Sequence, residues 1–474
     1  MGMGREGGRE GNEEMEVFIE DITDGMAGAD GGLPARTLAA ERPALAGDAP
    51  SARGGHTATC INGCLYVYGG ADRQQRYCDR VFRLRLATRT WETVTVDGAG
   101  PRPRSGHSAV AWRGEGVLVF GGINMALETF FHDAWLLTVP PEGAPPEAPC
   151  VWSEVTVQGA VPLARNSHSA CIVQAGALAG RMIVIGGSAE DGPLSSIQVA
   201  DLSGLPDSIS WTHSSDASHS LMAPREMHAA VALGEHVIVF GGRVNAQEAG
   251  EQVSDELITI NAKDERLRVI SVDKTDVRRC GHSMCAISDE RLLVSGGIDL
   301  SVPHVCTEHM LIQWATELVG HHDPGASAAD RGSAAVAGAA AESFDGSVSQ
   351  LKKALLQGGV AQSEIAQCSE RRELEDLWRT LQASAAATSG SAGVGGDDAE
   401  AVYALDVSWQ ALVMADDAPE FGRFAHSSCV LPSTGPESGG VEAVQVLVLG
   451  GVDFEQDYSE PLLLDAGPLC SDLA

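Results

Sequence analysis

Six copies of one short pattern constrain the fold of this chain more than any other feature of its sequence. In each copy an arginine is followed three residues later by a histidine, and the apolar stretch that comes next ends in two glycines. The first copy reads RGGHT with LYVYGG behind it, and the last reads RFAHS with VLVLGG behind it. Such self-similarity along a chain indicates a repeated structural unit. The six arginines are Arg53, Arg104, Arg165, Arg225, Arg279 and Arg423.

Each copy contains two further apolar segments, so we expect four short strands per repeat. In the first copy the third segment reads VFRLRL and the fourth begins at Trp91, while in the second copy the fourth begins at Trp152. Short runs rich in β-branched residues are typical of strands. One four-stranded antiparallel sheet exposes two apolar faces, whereas a ring of such sheets buries both faces of every member. The sequence therefore predicts an all-β fold.

The Arg-x-x-His start, the double glycine and the later tryptophan resemble the kelch repeat, over roughly residues 36–313 and 401–466. The resemblance implies a six-bladed kelch β-propeller in which each repeat forms one blade. Among kelch proteins the chain looks most like the free-standing Rab-effector-like members. It is also similar to the kelch half of tRNA wybutosine-synthesis methyltransferases, although the sequence contains no Rossmann glycine fingerprint of a methyltransferase half.

The sixth repeat lacks a fourth strand, and the segment before the first repeat is expected to supply it. This segment, LAAERPALAGDAPSAR, resembles the ends of fourth strands elsewhere, because Gly47 precedes Arg53 by the same spacing as Gly98 precedes Arg104. We therefore predict that residues 38–46 close the ring as an outer strand of blade six, within a propeller that begins at residue 35. Residues 1–34 are acidic and rich in glycine, and we expect a disordered tail there.

The fifth repeat carries an insertion, since the distance between its arginine and the next is more than twice the usual one. Residues 315–400 have flanks rich in alanine, serine and glycine, which are typical of linkers. Between these flanks, Leu374, Leu377 and Trp378 have the spacing of one helix face, so we expect an amphipathic helix. Residues 401–474 then complete blades five and six.

Two segments compete to be the third strand of blade five, namely His309–Gln313 and Ala401–Val407. The second is favoured because it runs directly into Trp409, as third strands do before the tryptophan of other repeats. With that choice the insertion lies between the second and third strands. Its helix would then reach across the same propeller mouth as the six arginines, as a lid or as part of a binding surface.

Two interpretations of the repeated arginines stay open. They form a cationic rim that binds carboxylates at a propeller mouth, or each one pairs with a nearby carbonyl or acidic loop residue. The repeated histidines, in contrast, are expected to be structural and to bond to the backbone of the neighbouring blade. A zinc or copper ion needs three or four donors at about 2.0–2.3 Å from one point, which a ring of six separated histidines does not provide. We therefore expect no metal and no cofactor. The histidines are His56, His107, His168, His228, His282 and His426.

Composition and motifs favour a protein-binding role. A net charge of −33 disfavours binding to nucleic acid and to anionic membranes. The N-terminal residues contain no apolar stretch of a secretion signal, and the eleven cysteines form no CxxC pair. These features predict a monomeric, cytoplasmic protein with free thiols, with the nucleus as an alternative location.

No P-loop, G-x-S-x-G or H-E-x-x-H motif occurs in the sequence. We therefore interpret the chain as a non-enzymatic scaffold or adaptor for protein partners. Two alternatives stay open, which are a propeller enzyme with a metal or acid–base site in the central channel and an accessory kelch subunit in tRNA modification.

Overall fold

The computed structural model describes the part of the chain that contains all six repeats. The described residues are 36–141, 143–145, 147–213, 222–246, 250–263, 267–300, 304–318, 403–415, 418–419, 421–431, 444–453 and 455–470. The acidic tail over residues 1–34 and the insertion helix with Leu374, Leu377 and Trp378 lie outside these ranges, and both stay predictions. The chain divides into a first unit of residues 1–315 with 407–474 and a second unit of residues 316–406.

Each of the six repeats contributes consecutive antiparallel strands to one sheet. In repeat 1, for example, Tyr68 on the second strand pairs with Thr57 on the first and with Val81 on the third. The strands of repeat 1 are Gly54–Ile61, Cys64–Ala71, Val81–Arg85 and Thr90–Thr93. Those of repeat 2 are Ser108–Trp112, Gly116–Phe120, Ala134–Thr138 and Cys150–Gly159, and those of repeat 3 are Ser169–Ile172, Met182–Ile185, Ile197–Asp201 and Ser208–His213.

The later repeats follow the same order. The strands of repeat 4 are Ala229–Leu233, His236–Phe240, Glu256–Asn261 and Arg268–Lys274. Those of repeat 5 are Ser283–Ser288, Arg291–Ser295, His309–Leu318 and Tyr403–Met414, and those of repeat 6 are Ser427–Leu431, Gln445–Leu449 and Leu462–Asp465.

Short strands and two short helical elements lie in the connections between these strands. They are the strands Ala46–Gly47, Val96–Asp97, Ile123–Asn124, Thr129–Phe130, Ser188–Ala189, Gly192–Pro193, Arg225–Glu226, Arg243–Ala246, Gly250–Val253, Ile298–Asp299 and His304–Val305, the 3-10 helix Met125–Leu127 and the helical turn Gly467–Cys470. None of the helices among the described residues is long and apolar enough to cross a membrane.

The first strands of the six repeats form a closed ring. Each of them contacts the first strands of two other repeats, and Gly54–Ile61 of repeat 1 contacts Ser427–Leu431 of repeat 6. Apolar clusters fill the spaces between neighbouring sheets. Between repeats 2 and 3, for example, Phe120, Leu136 and Trp211 pack together and are almost completely buried. The apolar faces of the sheets are therefore buried against one another, which is how a ring of repeats replaces a single central core.

The segment before repeat 1 completes the sheet of repeat 6. The strand Thr37–Glu41 pairs antiparallel with Leu462–Asp465, with Ala40 opposite Leu464. Its Leu38 side chain is fully buried in the apolar cluster that lies between repeats 5 and 6. The strand ends before Pro43, so it is shorter than the predicted segment of residues 38–46, because a proline has no N–H to donate to a sheet.

The third strand of repeat 5 differs from the one that the sequence favoured. His309–Leu318 pairs with the second strand, with Leu292 opposite Ile312, and Tyr403–Met414 follows as the fourth strand. The assignment of Ala401–Val407 to the third strand was therefore wrong. The prediction assumed that Trp409 begins the fourth strand. In the structure Trp409 lies well inside the long fourth strand.

With this correction, residues 319–402 connect the third strand to the fourth instead of the second to the third. In an up-and-down sheet the connection between the third and fourth strands lies at the end opposite to the segment that carries the arginine. The predicted placement of Leu374, Leu377 and Trp378 over the mouth with the repeated arginines therefore loses its topological basis.

Candidate interaction mouth

The six repeated arginines are buried and make the same hydrogen bond in every repeat. Their side chains are between 0% and 6% exposed. In each repeat the Nη1 atom donates to the carbonyl oxygen of the first glycine of the pair at 2.8 to 3.2 Å. The six bonds run from Arg53 to Gly69, Arg104 to Gly121, Arg165 to Gly186, Arg225 to Gly241, Arg279 to Gly296 and Arg423 to Gly450. The arginine therefore fastens the start of the first strand to the end of the second strand within one repeat.

The backbone of the same arginine connects neighbouring repeats. Its carbonyl oxygen accepts a hydrogen bond from the second glycine of the preceding repeat, as Gly122 donates to Arg165 at 2.8 Å. The last repeat donates to the first in the same way, from Gly451 to Arg53 at 2.9 Å. The first glycine must approach closely as well, because a Cβ on Gly121 would lie 2.9 Å from the Arg165 oxygen at a φ of +67°. The double glycine thus serves the contact between repeats.

A continuous belt of backbone hydrogen bonds runs around the axis of the ring. Its members are the six residues that directly precede the repeated histidines, and each one donates its N–H to the carbonyl of the corresponding residue in the preceding repeat. The donor–acceptor distances are 2.7 to 2.9 Å, and the bond from Gly55 to Ala425 closes the circle. All six residues have a left-handed backbone, with φ between 52° and 69°. The belt residues are Gly55, Gly106, Ser167, Met227, Gly281 and Ala425.

At four junctions the repeated histidine bonds to a side chain of the preceding repeat, in addition to backbone contacts of the predicted kind, such as that of His56 with Leu449. The partner is the hydroxyl group of the residue that follows the preceding histidine. The Nε2 atom of His107 lies 2.9 Å from Thr57 Oγ1, and that of His168 lies 2.9 Å from Ser108 Oγ. The corresponding distances are 2.8 Å from His426 to Ser283 and 2.8 Å from His56 to Ser427.

Two positions depart from this histidine–hydroxyl pattern. Ser169 donates to the backbone oxygen of His228 at 2.9 Å instead of pairing with its ring. For His282, the corresponding residue of the preceding repeat is Ala229, which has no hydroxyl group. Neither ring nitrogen of His282 has a side-chain partner.

Burial keeps the repeated histidines neutral. It lowers the pKa of His56 to about 4 and the pKa of His107 to about 3, and the nearby Arg53 and Arg104 charges act in the same direction. His228 and His426 likewise have pKa values lowered to about 3, mainly by burial. Within the described ranges, no three His, Cys, Asp or Glu side chains are grouped so that they could hold a metal ion.

Of the two interpretations of the arginines, an exposed binding rim does not fit their burial, whereas pairing with nearby carbonyl and acidic groups fits their contacts. In four repeats the Nε atom holds the segment that leads into the repeat, since Arg104 donates to the Arg102 oxygen at 3.0 Å and Arg165 donates to the Leu163 oxygen at 3.0 Å. Arg104 also pairs with Asp133, whose pKa is lowered because that ion pair outweighs the effect of its burial. The arginines therefore position the loops of the mouth from inside.

The loops at this end of the ring carry exposed apolar side chains. We call this end, formed by the segments that precede the six arginines and by the connections after the double glycines, the arginine mouth. Four large apolar residues are 48% to 65% exposed there. They are Met125, Leu127, Leu163 and Leu300. Among the described residues, the other exposed large apolar side chains are Val151 and Trp409, which lie in fourth strands.

The loop with Met125 and Leu127 is held firmly in place. The Asn124 side chain accepts a hydrogen bond from the Leu127 N–H at 3.2 Å and donates to the Pro103 oxygen at 2.7 Å. The Met125 N–H donates to the Tyr77 hydroxyl of repeat 1 at 3.0 Å. Because these contacts fix the backbone before any partner arrives, binding there costs little conformational entropy.

Comparison with known proteins identifies the fold family. The Attractin/LZTR1 beta-propeller family matches residues 65–309. Adagio-like protein 1 of Oryza sativa subsp. japonica is 32% identical over 273 residues, which are 52% of this chain and 39% of that protein. Host cell factor homolog hcf-1 of Caenorhabditis elegans is 24% identical over 284 residues, which are 54% of this chain and 35% of that protein.

Kelch domain-containing protein 3 of Rattus norvegicus is 28% identical over 215 residues, which are 42% of this chain and 51% of that protein. The chain therefore spans well under two thirds of the length of the relatives it matches. The family match covers half of the chain, and the relatives confirm the resemblance to kelch proteins. The protein belongs to the Attractin/LZTR1 beta-propeller family of kelch-type propellers.

Proposed function

We propose that the protein is a non-enzymatic scaffold, built as a six-bladed propeller, whose arginine mouth binds a protein partner. The observation that carries the proposal is the set of exposed apolar side chains at this end, namely Met125, Leu127, Leu163 and Leu300. Exposed apolar groups on the loops of a rigid framework are typical of protein interaction surfaces.

The geometry of the mouth supports this function. The backbone belt holds the inner ends of all repeats at fixed distances, and the buried arginines hold the segments that lead into them. The loops between these fixed points differ from repeat to repeat, as a surface for one particular partner requires. The cytoplasmic location stays a prediction from the sequence.

A charge-introducing variant tests the proposal. The variant M125D/L127D/L163D/L300D and the control V151D are each used to isolate bound proteins from cell extract, with quantitative mass spectrometry as the readout. Val151 is a suitable control because it is exposed but lies next to the connection between the third and fourth strands, at the opposite end of repeat 2.

We expect the mouth variant to lose specific partners that the wild-type protein and the control retain, with melting temperatures that agree within a few degrees. Retention of all partners by the folded mouth variant would contradict binding at this mouth.

A further inference from the structure

A cleft between repeats 1 and 2 lies at the arginine mouth and is lined by none of its four exposed apolar side chains. It has a volume of about 460 Å³ and lies beside the segment that leads into repeat 2. Its lining includes Arg80, Val94, Val96, Arg102 and Trp152. This volume lies within the range of about 300–1,000 Å³ that is usual for ligand sites.

The floor of the cleft is preformed by a buried tryptophan and the segment packed against it. Trp152 is 6% exposed, and its ring packs edge-on against Tyr68 with 5.2 Å between the centroids. The backbone at Gly100 passes so close to this ring that a Cβ there would lie 2.8 Å from Trp152 Cδ1. The Tyr68 hydroxyl donates to the Pro101 oxygen at 3.0 Å, which holds the same segment from the other side.

Two exposed arginines flank this floor. The Arg80 guanidinium lies 5.4 Å from the centre of the Phe82 ring, which supports it by a cation–π contact. Arg102 is fixed through its backbone, because its oxygen accepts hydrogen bonds from Arg104 at 3.0 Å and from Tyr68 at 3.3 Å. Asp79 is the acidic residue of the lining, so the lining contains two arginines and one aspartate.

Neither of the two arginines is neutralised by an ion pair, whereas three other arginines of repeat 1 pair with carboxylates. Arg73 pairs with Asp457, Arg76 with Asp72 and Arg85 with Glu92. Neither Arg80 nor Arg102 has a carboxylate within 4.0 Å among the described residues. Two unpaired arginines and one aspartate therefore give this cleft a net positive charge, in a chain whose net charge is −33.

We propose that this cleft binds an acidic segment of a partner protein, which inserts an apolar side chain between Arg80 and Arg102. The guanidinium groups would bind carboxylates beside the inserted side chain, and Val94, Val96 and Trp152 would contact the side chain itself. The inference rests on the proposed scaffold function and adds a second binding site to it, with a defined partner chemistry.

A labelled peptide tests the cleft directly. The probe is fluorescein-labelled Glu-Glu-Val-Phe-Glu-Glu, and its binding to the full chain is measured by fluorescence anisotropy. The controls are Lys-Lys-Val-Phe-Lys-Lys, which reverses the charge, and Glu-Glu-Ser-Ser-Glu-Glu, which removes the apolar side chains. We expect saturable binding of the first peptide, at least about tenfold weaker binding of both controls, and a loss of affinity as salt is added.

Variants locate the binding site. R80E/R102E should weaken binding of the probe at least about tenfold, because it places like charges beside the carboxylates. R89E/R113E makes the same change at two exposed arginines in the strand connections of the opposite end, and it should leave the affinity within about twofold. Equal effects of the two double variants, or saturable binding of neither acidic peptide, would overturn the proposal.

Deletion of residues 1–35 tests whether the chain's own N-terminal residues, and not a partner, occupy the cleft. This part of the chain contains EEMEVFIEDI, which has the same acidic and apolar chemistry as the probe. Unchanged affinity after the deletion supports a partner segment as the occupant. Binding that tightens at least about tenfold would show that the chain's own N-terminal residues occupy the cleft, and it would overturn the assignment to a partner.

The two proposals fail in different experiments. If the peptide does not bind while M125D/L127D/L163D/L300D loses its partners, only the cleft proposal falls. If the peptide binds and the mouth variant keeps all its partners, only the proposed role of Met125, Leu127, Leu163 and Leu300 is refuted.

Discussion

The Nε2 atom of His56 lies 2.8 Å from the Ser427 hydroxyl, although the two residues are 371 positions apart in the chain. This contact joins the first repeat to the last in the same way as His107 and Thr57 join the second repeat to the first. The bond from the Gly55 N–H to the Ala425 oxygen closes the ring beside it. The junction between the chain's two ends is therefore built like the other junctions.

Two junctions lack this contact, and the one at His282 offers a stabilising substitution. Ala229 stands where the other repeats place a hydroxyl group, so the buried His282 ring has no side-chain partner. Ala229→Ser should supply one and raise the free energy of unfolding by about 0.5–1.5 kcal/mol. Chemical denaturation at pH 7.5 measures this change.

Two comparisons test the physical reason for that stabilisation. Ser283→Ala, which removes the partner of His426, should lower the free energy of unfolding by about 1–3 kcal/mol. Ala230→Ser should give no stabilisation, because Ala230 packs against the apolar cluster between repeats 3 and 4. Equal effects of Ala229→Ser and Ala230→Ser would contradict the proposed contact.

The backbone belt predicts a second stabilising change. Ala425 has a φ of 53°, and a side chain in the left-handed region costs about 1–2 kcal/mol. Ala425→Gly removes this strain but adds an entropic penalty of about 0.5–1 kcal/mol. The free energy of unfolding should therefore rise by up to about 1 kcal/mol.

The same substitution outside the belt should have the opposite sign. Ala109 lies inside the strand Ser108–Trp112, and Ala109→Gly should destabilise the protein by about 0.5–1 kcal/mol. Thermal melting of both variants measures the two effects. Destabilisation by Ala425→Gly would show that the belt position carries no strain that glycine relieves.

Much of the fold was predictable because the repeated residues make repeated contacts. The arginine, the histidine and the double glycine occur in all six copies, since each serves one hydrogen bond or close approach that every junction needs. The all-β class and the kelch-type family follow from them. The left-handed backbone of the belt was harder to predict from the sequence, because only three of its six residues are glycines, namely Gly55, Gly106 and Gly281.

The features specific to this protein were harder to predict, since single residues determine them. Leu163 and Leu300 are ordinary apolar residues in sequence, and only the position of their loops shows that they face solvent. The two interpretations of the arginines stayed open because a sequence does not show whether a cation is buried. The third strand of repeat 5 was missed because Trp409 lies in the middle of an unusually long strand.

Ring closure predicts a strong effect of a residue far from any repeat motif. Leu38 is fully buried between repeats 5 and 6, in the strand that completes the last sheet. Leu38→Ala should lower the free energy of unfolding by about 2–5 kcal/mol, through lost burial and the cavity that remains. Leu163→Ala, which truncates a 65% exposed side chain, should change it by less than about 0.5 kcal/mol. Similar values for both variants in urea denaturation would contradict closure by this strand.

The buried histidines predict a steep loss of stability in acid. Burial lowers the pKa of His56 to about 4 and the pKa values of His107, His228, His309 and His426 to about 3. In the unfolded chain these groups have pKa values of about 6.5. Between those limits the unfolded state binds more protons than the folded state, so stability falls as the pH falls below about 6.5.

The size of this effect follows from the number of histidines that titrate together. Each contributes a slope of about 1.4 kcal/mol per pH unit once the unfolded form is protonated, so five contribute about 7 kcal/mol per unit below about pH 5.5. This is comparable to the whole stability of a typical domain, about 5–15 kcal/mol, so we expect cooperative unfolding before most carboxylates are protonated.

Urea denaturation at intervals from pH 7.5 to 5.0 measures the slope. His107→Asn should reduce the slope, whereas His132→Asn, at an exposed loop position, should leave it unchanged. A free energy of unfolding that is constant from pH 7.5 to 5.0 would show that these histidines are protonated as readily in the folded protein as in the unfolded chain.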